Sequence, residues 1–107
     1  MKQMSATELR DFLAENKGAI KIDVREMIEL ENGVLQDAIH IPVRTIPGQL
    51  GMLEKHKNDP IVLICRSGMR SDQAGNYLEQ NGFINVINLV GGMNAWAKDI
   101  DSSMTIY

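Results

Sequence analysis

The chain contains one cysteine, Cys65, and its surroundings are unusual for an inert thiol. An apolar run, Ile61–Ile64, ends on Cys65, and "CRSGMRS" follows, with Arg66, Ser67, Gly68, Met69, Arg70 and Ser71. A thiol is a nucleophile only as its thiolate, and with a pKa of ~8.5 only a few per cent is ionised at neutral pH. Lowering that pKa by about 2 units would leave roughly three quarters ionised and requires ~2.7 kcal/mol of preference for the anion. A helix N-terminus supplies only ~0.3–1 kcal/mol. Several loop N–H groups, or Arg66 and Arg70, must provide the remainder. A tight loop entering a helix turns its N–H groups inward as an anion nest, and Gly68 permits the backbone conformation this needs. A lone cysteine behind an apolar run is more often core than nucleophile. The arginines, Gly68 and the strand–loop–helix setting reverse that preference.

Elements that would hold this loop can be read on either side of it. "SATELRDFLAEN" is a helix, with Ser5 and Glu8 as a capping box and Leu9, Phe12 and Leu13 on one face, ended by Gly18. Ile20, Ile22 and Val24 alternate as in a strand; "REMIELENG" is a short helix closed by Asn32-Gly33; "AIHIP" is a strand stopped by Pro42. Pro47, Gly48 and Gly51 predict a loop over 43–49 before a short helix near Leu50–Lys57. Pro60 opens the strand Ile61–Ile64. "RSDQAGNYLEQNG" is helical, with Ala74, Tyr77 and Leu78 on one side. "NVINL" is a strand, Gly91-Gly92 a turn and "MNAWAK" a last helix, while Lys2–Met4 suits a short edge strand. Alternation of strands and helices predicts an α/β domain, with a mostly parallel central sheet of about five short strands and helices on both faces. Residues 1–98 form this domain, and 99–107 are a tail packed on it or extending from it. Ligands of such sheets bind beyond the carboxyl ends of the strands. That places Cys65 and the "DVRE" stretch, Asp23 to Glu26, at the expected site.

Composition narrows the rest. With 107 residues, 44% apolar and 23% charged, the chain suits one folded domain. A net charge of −3 argues against nucleic-acid or anionic-membrane partners and makes the paired arginines a local exception. There is no apolar signal run and no membrane-spanning segment, so a reducing cytoplasm is the expected compartment. One Cys and two distant histidines, His40 and His56, give no metal-ligand spacing, and neither a metal nor a cofactor is expected. His40 reads as a structural histidine and His56 as a solvated one.

The loop resembles the active loop of rhodanese-type sulfurtransferases, whose pattern is often CRxGxRS. "IDVRE" at 22–26, "GVLQDAIHIP" at 33–42 and "LVGGMNAW" at 89–96 resemble further stretches of that family, in order and at family-like spacing. Asp37 departs from it, standing at a turn where the family often has glycine. The resemblance implies a single rhodanese-like domain in which Cys65 accepts sulfane sulfur as a persulfide and passes the outer sulfur to a nucleophile. The backbone N–H groups of residues 66–70 would hold the persulfide. A small anionic donor such as thiosulfate is implied, with cyanide, a thioredoxin-like dithiol or a ubiquitin-like sulfur-carrier protein as acceptor. "AWAKDIDSSMTIY" resembles the end of rhodanese domains fused to adenylyltransferases of the ubiquitin-activating type, which points to the carrier. A monomer suffices. Two alternatives stay open: a binding or redox-sensing module of the same fold, and a cysteine phosphatase or arsenate reductase. The latter use Cys-x5-Arg, one residue longer than the spacing from Cys65 to Arg70.

Around Cys65 most side chains read two ways. Arg66 steers an anionic donor or is merely solvated. Arg70 binds donor or persulfide, or braces the loop by pairing with Asp23 or Glu26; a loop of stacked N–H groups needs fixing, which favours bracing. Asp23, Arg25 and Glu26 then support the loop from behind and are not acid–base catalysts. Ser67 and Ser71 can donate hydroxyl hydrogen bonds to sulfur, although Ser71 as a helix cap is the simpler expectation. Met69 is a pocket wall or a free side chain. Gly91-Gly92 serve a tight turn first and close backbone approach second.

Overall fold

The computed structural model describes residues 1–107. Five strands, β1 (Lys2–Met4), β2 (Ile20–Asp23), β3 (Ile39–His40), β4 (Ile61–Ile64) and β5 (Val86–Leu89), form one sheet in the order β1-β5-β4-β2-β3. Every neighbouring pair is parallel, so all carboxyl ends lie along one edge. β4 is central and buried on both faces, which explains why its sequence is a continuous apolar run. Its side chains divide by parity. Ile61, Leu63 and Cys65 join Ile22, Val24, Ala74, Leu78 and Val86 in one core layer, and Val62 and Ile64 join Leu9, Ile87, Leu89, Met93 and Trp96 in the other.

Helices α2 (Ile46–Leu53) and α3 (Met69–Gln80) cover the first layer; α1 (Ala6–Glu15) and α4 (Gly92–Asp99) cover the second. The capping box at α1 forms as expected, with Glu8 N–H donating to Ser5 Oγ at 3.2 Å and Ser5 N–H to Glu8 Oε1 at 2.9 Å. The helix stops earlier than Gly18, at Asn16, whose backbone N–H and side-chain amide both donate to the Phe12 carbonyl.

Residues 43–49 depart from the expected loop, while the helix expected near Leu50–Lys57 is found as the second half of α2 followed by a 3-10 turn over Glu54–His56. Val43–Thr45 form a 3-10 turn and α2 begins at Ile46, with Pro47 in its first turn, where the missing N–H has no intrahelical partner to lose. Gly48 and Gly51 then sit inside the helix with open space around them, and no steric demand calls for glycine at either. Met27–Asn32 is likewise a 3-10 helix, closed by Gly33 at φ 119°. Asp37 takes φ 63° and is the one non-glycine residue in the left-handed region, so the turn expected there keeps its geometry with an aspartate. No helix is long and apolar enough to cross a membrane.

Candidate active site

Cys65 leaves the carboxyl end of β4 on the α3 side of the sheet and is 1% exposed. The next three residues turn sharply, Gly68 takes φ 103° as the N-cap of α3, and its N–H returns to Cys65 Sγ at 3.1 Å. A Cβ on Gly68 would sit 3.2 Å from Gly91 N and 3.3 Å from the Leu89 carbonyl, so close packing as well as backbone angle requires glycine.

The turn between β5 and α4 holds the loop from its far side. Gly91 and Gly92 take φ 77° and 59°, and a Cβ on Gly92 would stand 2.4 Å from the Cys65 and Arg66 carbonyl oxygens. Two otherwise unpaired N–H groups at the start of α4 donate to those same carbonyls, Met93 to Cys65 at 2.8 Å and Asn94 to Arg66 at 3.1 Å. With the loop carbonyls drawn outward, the loop amides face the sulfur. The glycine pair therefore makes close backbone approach its main task, with the tight turn as the means.

Burial is the largest influence on the Cys65 thiol and pushes its pKa up. It is outweighed by the Ser71 hydroxyl and the N–H groups of Ser71, Gly68 and Ser67, and the net shift is downward. Ser71 is fully buried, its Oγ 3.3 Å from Cys65 Sγ. It is the third residue of α3 and not the cap, because Gly68 occupies that position.

The arginines are committed elsewhere. Arg70 forms a two-pronged pair with Glu29, both N···O distances 2.7 Å. This hydrogen bonding holds Glu29 down at about 2, against the partial burial that opposes it, and raises Arg70. Arg70 thus pairs as a brace would, with Glu29 as its partner and neither Asp23 nor Glu26. The Glu26 side chain turns outward to Arg44; its backbone alone touches this network, the N–H donating to Glu29 Oε2 at 2.9 Å and the carbonyl accepting from Glu29 N–H at 3.0 Å. Arg66 is exposed; it donates to the Tyr107 backbone oxygen and its guanidinium lies 5.1 Å from the Tyr107 ring centre. Ser67 and Met69 also face solvent. With Gln3, Gly68, Asp72, Asn88, Val90 and Gly91 they line an open cavity of about 280 Å³ beside the loop.

Asp23 and Arg25 support this assembly from within. Arg25 is fully buried, its Nε 2.9 Å from Asp23 Oδ1 and its Nη2 2.8 Å from Asp23 Oδ2. It donates further to the Gly33 carbonyl at 2.7 Å and to the Tyr107 hydroxyl at 3.0 Å. Tyr107 in turn donates to Glu29 Oε1 at 3.0 Å, so one phenol joins the buried pair to the Glu29–Arg70 pair. His40 meets the Arg25 carbonyl at 2.7 Å, a structural role as expected.

Sequence reasoning missed Glu29, Tyr107 and Asn88. Asn88 carried a legible signal, an amide in an otherwise apolar central strand, and it is 3% exposed beside Ser71 and Gly68. Glu29 and Tyr107 carried none, because neither spacing nor periodicity brings them to Cys65. The largest cavity, about 400 Å³ and lined by Arg10, Lys17, Lys21 and Trp96 among others, is at the amino ends of the strands, away from this chemistry.

Known proteins resemble the chain in sequence and in fold. A sulfurtransferase of Allochromatium vinosum is 37% identical over 98 residues, 92% of this chain and 90% of that protein. A protein of Bacillus subtilis named as a putative sulfur carrier is 39% identical over 75 residues, 70% of this chain and 40% of its own length. The crystal structure of a rhodanese-like domain protein from Staphylococcus aureus superposes with a TM-score of 0.82 at 36% identity, covering 100% of this chain and 99% of that one. The family model for the rhodanese-like domain matches residues 5–99, which takes in the whole sheet beyond β1, the Cys65 loop and the glycine pair that holds it; the chain belongs to the rhodanese-like domain family.

Proposed function

We propose that this chain is a sulfurtransferase that carries sulfane sulfur as a persulfide on Cys65. The observation that carries the reading is the buried sulfur at the end of β4, with the N–H groups of Ser67, Gly68 and Ser71 directed at it. The name of the Allochromatium relative agrees with it. In the first half-reaction the Cys65 thiolate attacks the outer sulfur of a donor such as thiosulfate. The donor S–S bond breaks, sulfite leaves with the bonding pair, and Cys65 is left as a persulfide anion. In the second, an acceptor nucleophile attacks the outer sulfur and the Cys65 thiolate departs, ready for another cycle. Cyanide would leave as thiocyanate, and an acceptor thiolate as its own persulfide. Amide donors suit this cargo because a persulfide carries one diffuse negative charge. A sulfur-carrier protein or a redox partner is the acceptor class we favour, in keeping with the name of the Bacillus relative.

Phosphatase or arsenate reductase chemistry fits less well. Both prongs of Arg70 are occupied by Glu29, leaving no guanidinium fork aimed into the nest for a tetrahedral oxyanion. Intact-mass measurement after incubation with thiosulfate tests the proposal. One added sulfur on the native chain and none on Cys65→Ala is expected; no addition, or equal addition to both, would overturn it. Sustained turnover to cyanide or a dithiol separates transfer from simple oxidant sensing.

A further inference from the structure

The hydrogen bonds behind Ser71 run in one direction only. Asp72 is an acceptor, and Gln3 donates its Nε2 to Asp72 Oδ1 at 2.7 Å. That turns the Gln3 carbonyl toward Asn88, which donates its Nδ2 to Gln3 Oε1 at 2.8 Å. The same Nδ2 donates to the Gly68 carbonyl at 3.2 Å, a second acceptor that fixes the amide in the same sense. Asn88 Oδ1 must then face Ser71, and it accepts the Ser71 hydroxyl proton. A hydroxyl has one proton. If Asn88 holds it, Ser71 offers only a lone pair to the sulfur 3.3 Å away, and the hydrogen bond between them is donated by the thiol. Gln3 and Asn88 are direct register partners of the parallel β1–β5 pair, so the edge strand is what brings the anchor to this position.

We propose that Asp72, Gln3 and Asn88 form a directed hydrogen-bond relay that claims the Ser71 proton while Cys65 is a thiol, and that Asn88 is thereby a positioning residue for Cys65 ionisation. When the thiol proton leaves to a base in solution, the Ser71 hydroxyl turns from Asn88 Oδ1 to the sulfur, where it meets the new negative charge. Ionisation thus breaks one buried hydrogen bond as it makes another, and the relay restrains the thiolate that the loop amides favour. Other charged groups around the sulfur are accounted for: Arg70 is paired with Glu29, Arg25 with Asp23, and Arg66 rests on Tyr107. His40 is held by the Arg25 carbonyl, and α2, β5 and the first turn of α4 carry no charged side chain. The inference takes from the proposed function only that Cys65 ionises, and both readouts below are independent of sulfur transfer.

Cys65 is the sole cysteine, so the infrared S–H stretch of the native chain, isolated as the difference from Cys65→Ala, is a single band. A band displaced to lower wavenumber than that of a free thiol in water is expected for a buried S–H donating to Ser71; a band at or above the free-thiol position overturns the proposal. The second arm follows the pH profile of iodoacetamide alkylation. Asn88→Ala releases the Ser71 hydroxyl, and the rate below the apparent pKa should rise about fivefold, the equivalent of one ordinary hydrogen bond. In a Ser71→Ala background the same substitution should change the rate less than twofold, because no hydroxyl remains to be released. An equal effect in both backgrounds, or a fall in rate where Ser71 is present, overturns the relay. If Asn88→Ala does not fold, the infrared arm alone decides.

Discussion

Gly92→Ala is the sharpest test of how the loop is held. The added Cβ would lie 2.4 Å from Arg66 C, Arg66 O and Cys65 O, all of them backbone atoms with no side-chain freedom to yield. Moving α4 and the loop apart is an overpacking strain of about 1–3 kcal/mol. The φ of 59° adds about 1–2 kcal/mol for an L side chain. Separation also weakens the Met93 to Cys65 and Asn94 to Arg66 hydrogen bonds, each worth about 1 kcal/mol. A less flexible unfolded chain returns about 0.4–1 kcal/mol. We expect a net loss of about 3–4 kcal/mol, a large part of the 5–15 kcal/mol typical of a small domain. Urea unfolding followed by fluorescence of Trp96, the single tryptophan and part of α4, would measure it. The alkylation profile of Cys65 should move to higher pH, because the carbonyls that orient the loop amides lose their anchors. Gly48→Ala is the control: with nothing within 4 Å of its Cβ and a helical position in α2, it should stabilise by about 0.5–1 kcal/mol. A Gly92→Ala protein within about 1 kcal/mol of the native chain, with an unmoved alkylation profile, would refute the account of the loop.

Tyr107→Phe removes the hydroxyl that joins Arg25 to Glu29, and should cost about 1–2 kcal/mol, read as a fall of several degrees in melting temperature. Arg25→Met leaves the Asp23 carboxylate, itself 2% exposed, without its partner and should cost about 3–5 kcal/mol. Combining it with Asp23→Asn should recover part of that loss, a coupling a double-mutant cycle would resolve. Glu29 is depressed in the folded state, so its contribution is fully present above its unfolded pKa near 4.5 and is lost as pH falls through about 2. Arg70 is one-third exposed, and solvent screening limits the contribution to about 1 kcal/mol. Denaturation at pH 6 and pH 3 should show Glu29→Gln losing less stability on acidification than the native chain.

Much of the fold was legible because its signals are local. The β4 run, the parity of β2 and the Ser5–Glu8 box are properties of consecutive residues, and each appears where the pattern places it. Pro47 misled because proline interrupts a helix interior yet suits its first turn, and composition does not say which of these it occupies. The Cys65 loop was legible as a motif, whereas its supports were not. Glu29 lies 41 residues from Arg70, and Tyr107 lies 78 from Glu29. Only the parallel sheet, which brings every carboxyl end to one edge, makes them neighbours. Serine is a common helix cap, which favours that role for Ser71 in the sequence; the left-handed Gly68 takes the cap position and leaves the serine facing sulfur.

The two arginines beside Cys65 suggested ionisation by positive charge, and their geometry assigns them different work. A guanidinium aimed at the sulfur would stabilise a thiolate, but it would bind an anionic leaving group as readily. Arg70 is paired with Glu29, and what touches the sulfur is Ser71 Oγ together with loop N–H dipoles whose direction Gly68 and Gly92 impose. Fixed dipoles favour one diffuse charge at one point and require no countercharge in the nest. In the proposed reaction a donor anion would pass Arg66 at the exposed rim on its way in. Attraction of anions and stabilisation of the sulfur are thus separated in space. On our reading, that separation lets the same loop gather a donor, hold a persulfide and release the spent anion.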